Sequence, residues 1–122
     1  MAVSLKVKLL RPEAVAPSYA HPGDAGADLC TTETVTLQPG QRIKVPTGIA
    51  VEIPDGYVGL VWDKSGRAAK DGLTILGGVI DAGYRGEIFA ITLNTSNQPV
   101  TVQQGEKIAQ MLIQPVEQAT IV

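Results

Sequence analysis

"EIFAITLN", residues 87–94, decides the class of fold. Its side chains alternate, so Phe89, Ile91 and Leu93 fall on one face of an extended strand, and that apolar face is expected in the core. The same grammar extends in both directions. Glycine and proline, 13 and 8 in number, punctuate the chain at short intervals, and the segments between them favour Val, Ile, Leu and Thr. This is the spacing of many short strands. It predicts strands over 5–10, 27–31, 34–37, 41–45, 48–53, 57–62, 87–94, 100–102 and 106–114. Turns are signalled at Gln38-Pro39-Gly40, Ile53-Pro54-Asp55-Gly56 and Ser96-Asn97-Gln98-Pro99. Arg67-Ala68-Ala69-Lys70 is the one helical pattern, and it is read as a loop turn because nucleating so short a helix is costly.

A chain of 122 residues is expected to form one domain, 1–122, without linker, repeat or low-complexity tract. Strands this short and numerous predict an all-β fold. A closed sandwich or jelly roll would dispose of their edges, with a small open barrel as the alternative.

Composition removes several classes of function. Apolar residues make up 44% of the chain, yet no uninterrupted apolar run approaches the roughly 20 residues of a membrane-spanning helix. Met1 to Lys8 lacks the pattern of a secretory signal, so a cytoplasmic protein is expected. A single cysteine, Cys30, and a single histidine, His21, cannot build a Cys/His zinc cage. The net charge of −2, with cations scattered, offers no field for a nucleic-acid duplex. An anionic ligand should be small and locally gripped.

Four polar islands interrupt the strands: His21 to Leu29, Asp63 to Arg67, Gly77 to Ile88 and Gly105 to Gln110. Lys64-Ser65-Gly66 offers a cation, a hydroxyl and a flexible N–H in succession, which suits phosphate oxygens, although a solvated turn has the same composition. Asp81 follows Val79-Ile80 at the end of an apolar run, where a carboxylate either caps a turn or orients and deprotonates a water. Tyr84 is placed to stack on a sugar or base, or to roof the core. Asp24 and Asp28 are hard oxygen donors, so Mg2+ shared with substrate phosphates is the natural metal, against ordinary turn chemistry. Gln110, inside an apolar stretch, needs a partner for its amide, either ligand or backbone.

In order, these islands resemble the first four motifs of the trimeric dUTP diphosphatases (dUTPases). Asp24-Ala25-Gly26-Ala27-Asp28-Leu29 is similar to motif one and Lys64-Ser65-Gly66 to the Arg-Ser-Gly of motif two. Gly78 to Glu87 is similar to motif three and Gly105-Glu106-Lys107-Ile108-Ala109-Gln110 to motif four. Val45 to Ala50 and Ile53 to Tyr57 also read as family sequence. The resemblance implies a jelly-roll (β-clip) homotrimer with active sites between subunits, hydrolysing dUTP to dUMP and pyrophosphate with Mg2+. That reaction limits uracil incorporation into DNA and supplies dUMP for thymidylate synthesis. It further implies that Asp81 activates the water attacking the α-phosphorus and that Tyr84 packs against the deoxyribose. Backbone near Leu76 and Gly78 would read uracil. Lys64, Ser65, Gly66 and Gln110 would hold phosphates, the last three from a neighbouring subunit, and Asp28 would anchor Mg2+ through water.

The chain departs from the family pattern in three places. Lys64 replaces the arginine and loses its planar fork. Ile75 stands where some members place an asparagine at the base, which shifts recognition toward backbone. The glycine-rich fifth motif is not found before Val122. Two alternatives follow: a nucleotide-binding or regulatory protein of this fold with little turnover, and a dCTP deaminase-like enzyme. Against the latter, Ile91 occupies the position of the deaminases' catalytic glutamate.

Overall fold

The computed structural model describes residues 3–122; Met1 and Ala2, the start of the stretch read above as lacking a secretory signal, lie outside them. Among the described residues ten strands form: β1 Lys6–Leu9, β2 Ala27–Cys30, β3 Val35–Leu37, β4 Arg42–Glu52, β5 Tyr57–Asp63, β6 Leu73–Leu76, β7 Val79–Ile80, β8 Glu87–Asn94, β9 Val100–Val102 and β10 Lys107–Pro115. They build two four-stranded antiparallel sheets, ordered β1-β4-β8-β6 and β2-β10-β5-β7, and a β3-β9 ribbon. Their inner faces join in one apolar cluster that includes Leu29, Leu37, Ile49, Ile88, Ile108 and Met111. The architecture is the expected all-β jelly roll.

Three expectations are corrected. First, β8 turns its other face inward. Ile88, Ala90, Thr92 and Asn94 are buried, whereas Phe89, Ile91 and Leu93 are half-buried on the outer face. Hydrogen bonds fix this register. The Asn94 amide donates to the carbonyls of Leu37 and Gln98, and its oxygen accepts from the backbone N–H and hydroxyl of Ser96. The Thr47 hydroxyl donates to the Ile88 carbonyl inside the fold. Both faces of the strand carry apolar residues, so alternation alone cannot choose between them, and the polar anchors do. The outer Phe89 ring lies beneath the Lys44 ammonium, 4.2 Å from its centroid.

Second, segments 41–45 and 48–53 are one strand, β4, with a bulge between Pro46 and Ala50. Gly48 adopts φ +70° there, and a Cβ on it would lie 2.6 Å from the Thr32 methyl and 2.9 Å from the Ala14 Cβ. Pro46-Thr47-Gly48 makes the irregularity that lets the strand continue. Third, Arg67–Asp71 is a wide helical turn rather than a loop turn. The Arg67 guanidinium pairs with Asp71 at 3.0 Å, and Gly72 closes the turn in the left-handed conformation. Strands β6 and β7 have no sequence forecast; each is too short to show a period.

Candidate active site

Strand β5 ends at Asp63 and delivers Lys64, Ser65 and Gly66 to the start of the helical turn. Beside it, β2 and β10 pair so that Asp28 lies opposite Gln110. The buried Asp28 carboxylate accepts from Lys64 Nζ at 2.5 Å on one oxygen and from Lys107 Nζ at 2.9 Å on the other. Burial pushes this carboxyl up, but the hydrogen bonds from Lys64 and Lys107 outweigh it, and the net displacement is below the ordinary carboxylate range. The same contact raises Lys107.

Gln110 donates from Nε2 to the Asp63 carbonyl at 2.9 Å. Its side chain lies against Gly26, where a Cβ would come within 2.3 Å of Oε1, so the glycine of the first island makes room for the amide of the fourth. The first, second and fourth islands thus converge. The second and fourth border an open basin of about 450 Å3 whose cations Lys64, Arg67, Lys70 and Lys107 outnumber its two carboxylates, Asp71 and Glu106. Ser65, between Lys64 and Gly66, is exposed. Arg67 is braced by Glu106 at 3.1 Å and by the Lys107 carbonyl. Chemically, the basin suits a small polyanion.

The Gly77-Gly78 end of the third island meets the end of β5, and its Asp81 end lies farther off. From Leu76 the chain crosses from one sheet to the other through Gly77 and Gly78, at φ +69° and +101°. The Gly78 carbonyl accepts from Val61 N–H at 2.8 Å, and a Cβ at Gly78 would sit 2.5 Å from the Val61 carbonyl oxygen, so only glycine fits. Between this crossing and the end of β5 lies a cleft of about 230 Å3 whose walls include Trp62, Asp63, Ile75, Gly77, Gly78 and Val79.

Asp81 follows β7 in an exposed turn closed by Tyr84 N–H on the Asp81 carbonyl, and among the described residues nothing hydrogen-bonds its carboxylate. Arg85 Nη1 donates to the Ala82 carbonyl at 2.6 Å. The Tyr84 hydroxyl donates to the Glu87 carbonyl at 2.7 Å, and its ring folds over Gly86, where a Cβ would come within 2.8 Å of the ring. Glu87 anchors the hairpin: it takes both terminal nitrogens of Arg11 and, at 3.1 Å, the N–H of Gly48 in the β4 bulge. The Arg11 hydrogen bond outweighs burial and holds the Glu87 carboxyl low.

The two halves do not meet within one chain. β5 and β7 pair Gly59 with Ile80 and Leu60 with Val79, so Asp81 falls level with Val58. Lys64 is six residues further on, just past the end of β5, and at about 3.3 Å per residue the separation is roughly 20 Å. Sequence reasoning missed Lys107, Arg67, Asp63 and the Arg11–Glu87 anchor. Lys107 and Asp63 each adjoin or lie within an island, which was the available signal; Arg11 is 76 residues from its partner and left none.

A family model described as dUTPase matches residues 12–122. The deoxyuridine 5'-triphosphate nucleotidohydrolase of Thermobifida fusca is 50% identical, over 98% of this chain and 69% of that protein. Among solved structures, the Staphylococcus bacteriophage 80alpha dUTPase with dUPNHPP superposes with a TM-score of 0.93 at 32% identity, covering 99% of this chain and 88% of that one. A variant of the dUTPase from phage phi11 of S. aureus, whose structure concerns the coordination of a structural Mg(II) ion, gives 0.93 at 31% identity, with 98% and 95% covered. With motifs one, two and four meeting around Asp28, Lys64 and Gln110, motif three on a glycine-hinged hairpin, and the family model matching 12–122, this chain belongs to the dUTPase family.

Proposed function

We propose that the chain acts as one unit, 1–122, within a homotrimer, and hydrolyses dUTP to dUMP and pyrophosphate in sites shared between protomers. The observation that carries this reading is the separation of about 20 Å between the Asp81 hairpin and the Lys64 basin along β5. One α-phosphate cannot touch both within a chain, whereas a neighbour's basin can face the hairpin. The half-buried apolar outer face of β8, with Phe89, Ile91 and Leu93, supports association.

In this site the free Asp81 carboxylate holds the attacking water and accepts its proton. Tyr84 packs on the deoxyribose, its ring set by Gly86 and its hydroxyl tied to Glu87. Backbone groups near Leu76 and Gly78 read the uracil edge, because the wrong exocyclic group would leave a buried donor or acceptor unpaired. Lys64, Ser65, Gly66 and Gln110 of the neighbour hold phosphate oxygens, and Lys107 adds a cation. Phosphoanhydride hydrolysis needs little beyond placement and charge neutralisation, which this set provides.

Magnesium chemistry fits under one condition. Both Asp28 oxygens are engaged by ammonium groups, so Asp28 is not free as a direct ligand. It can hold a metal-bound water only after Lys64 or Lys107 has moved to phosphate. Bound Mg2+ would neutralise charge on the triphosphate.

The test is a hydrolysis assay over the common deoxynucleoside triphosphates, with and without Mg2+, beside calorimetry with dUPNHPP. Mg2+-dependent release of dUMP and pyrophosphate from dUTP alone is expected. Tight binding with no turnover would replace this reading with a binding protein, and release of ammonia from dCTP would replace it with a deaminase. A cytoplasmic location is part of the proposal; among the described residues no helix is long and apolar enough to cross a membrane.

A further inference from the structure

We propose that Asp63 is a positioning residue for base selection: its carboxylate clamps the hairpin that reads the nucleobase. β6 is the outermost strand of its sheet, with Ile75 paired to Thr92 of β8 on one side only. The Ile75 N–H on the open side donates to Asp63 Oδ1 at 2.7 Å, and the Thr74 hydroxyl donates to Oδ2 at 2.8 Å. The carboxylate therefore takes the place of a missing neighbouring strand, through two charge-assisted hydrogen bonds.

Two residues earlier on β5, Val61 N–H holds the Gly78 carbonyl at 2.8 Å. The end of β5 thus grips the crossing on both sides of Leu76 and Gly77, and Asp63, Ile75 and Gly78 all line the 230 Å3 cleft. Gly77 and Gly78 both occupy positive φ, so this segment has little conformational restraint of its own. Its placement depends on what holds its ends. Reading a base by backbone groups demands placement within about 0.5 Å, and Leu76 is one residue beyond the clamped N–H. Asp63 also takes the Gln110 amide on its carbonyl and is joined directly to Lys64, so it ties the hairpin to the phosphate basin.

This inference rests on the reading of the site given under the proposed function. The test uses the full chain as wild type, Asp63→Ala and Asp63→Asn, assayed with dUTP and dCTP, with hydrogen exchange followed over residues 73–80. Asp63→Ala should raise KM for dUTP about tenfold, more than it lowers kcat, and cut the dUTP-to-dCTP ratio of kcat/KM by about tenfold. Asparagine keeps an oxygen for the Ile75 N–H, and its amide can donate to the Thr74 hydroxyl, so Asp63→Asn should return to within about threefold of wild type. An unchanged ratio in Asp63→Ala, a loss confined to kcat and equal for both nucleotides, or equal damage in Asp63→Asn would each overturn the proposal. Wild type inert toward dUTP would overturn the functional reading instead. Hydrogen exchange then still decides the clamp: faster exchange at Ile75 to Gly78 in Asp63→Ala supports it, and unchanged exchange removes it.

Discussion

Asp81 and Asp28 show how one side-chain type takes two roles through its surroundings. Asp81 is exposed and unengaged, which suits a group that must accept a proton from water and release it. Asp81→Asn should therefore lower kcat by about 10²–10⁴-fold while dUPNHPP still binds; unchanged turnover would remove Asp81 from the chemistry. Asp28 is buried between two ammonium groups and its carboxyl is held low. A carboxyl lowered in the folded state contributes stability above its unfolded value of about 3.9, and that contribution is lost as pH falls through the folded value. Asp28→Asn should thus cost about 2 kcal/mol near neutral pH, with the gap to wild type narrowing as pH falls below about 4. Urea unfolding at both pH values measures this, and a constant gap would show that the ion pairs contribute nothing.

At the scale of elements, the catalytic hairpin is held from outside itself. Glu87 fixes its end by binding Arg11 from the N-terminal arm and Gly48 from the β4 bulge. Disturbing the bulge should therefore reach the hairpin. Gly48→Ala forces a Cβ into the Thr32 methyl and the Ala14 side chain at a positive φ. A loss of about 2–3 kcal/mol is expected, or roughly 10 °C in Tm at about 4 °C per kcal/mol. Calorimetry of the variant decides this, since an unshifted Tm would mean that the bulge absorbs the methyl group. The helical turn after β5 follows the same pattern: Arg67 is held by Asp71 within the turn and by Glu106 from the β9–β10 connection.

At the scale of the whole molecule, the site proposed here is completed only by association. Asp81→Asn supplies a defective hairpin with an intact basin, and Gln110→Ala the reverse. Each variant alone should be nearly inactive. Mixed in equal amounts, denatured and refolded together, random trimers should recover roughly a quarter of the wild-type sites. A mixture no more active than its components would mean that each chain builds its site alone, contrary to the separation along β5.

How much was legible beforehand differs by level. Alternation and turn chemistry determined the all-β class, and Glu87–Asn94 and Val100–Val102 match their forecast bounds. The four islands determined the family, because such motifs are local in sequence. Tertiary structure decided which face of β8 points inward. Both faces are apolar, and the choice rests on Asn94 bonding to Leu37, 57 residues away. It also decided that Asp28 is caged by two lysines, that Asp63 serves β6, and that the Asp81 end of motif three stands apart from the others. Each of these depends on groups that meet only when the sheets pair, and a linear sequence carries no record of which distant N–H or ammonium a carboxylate will meet.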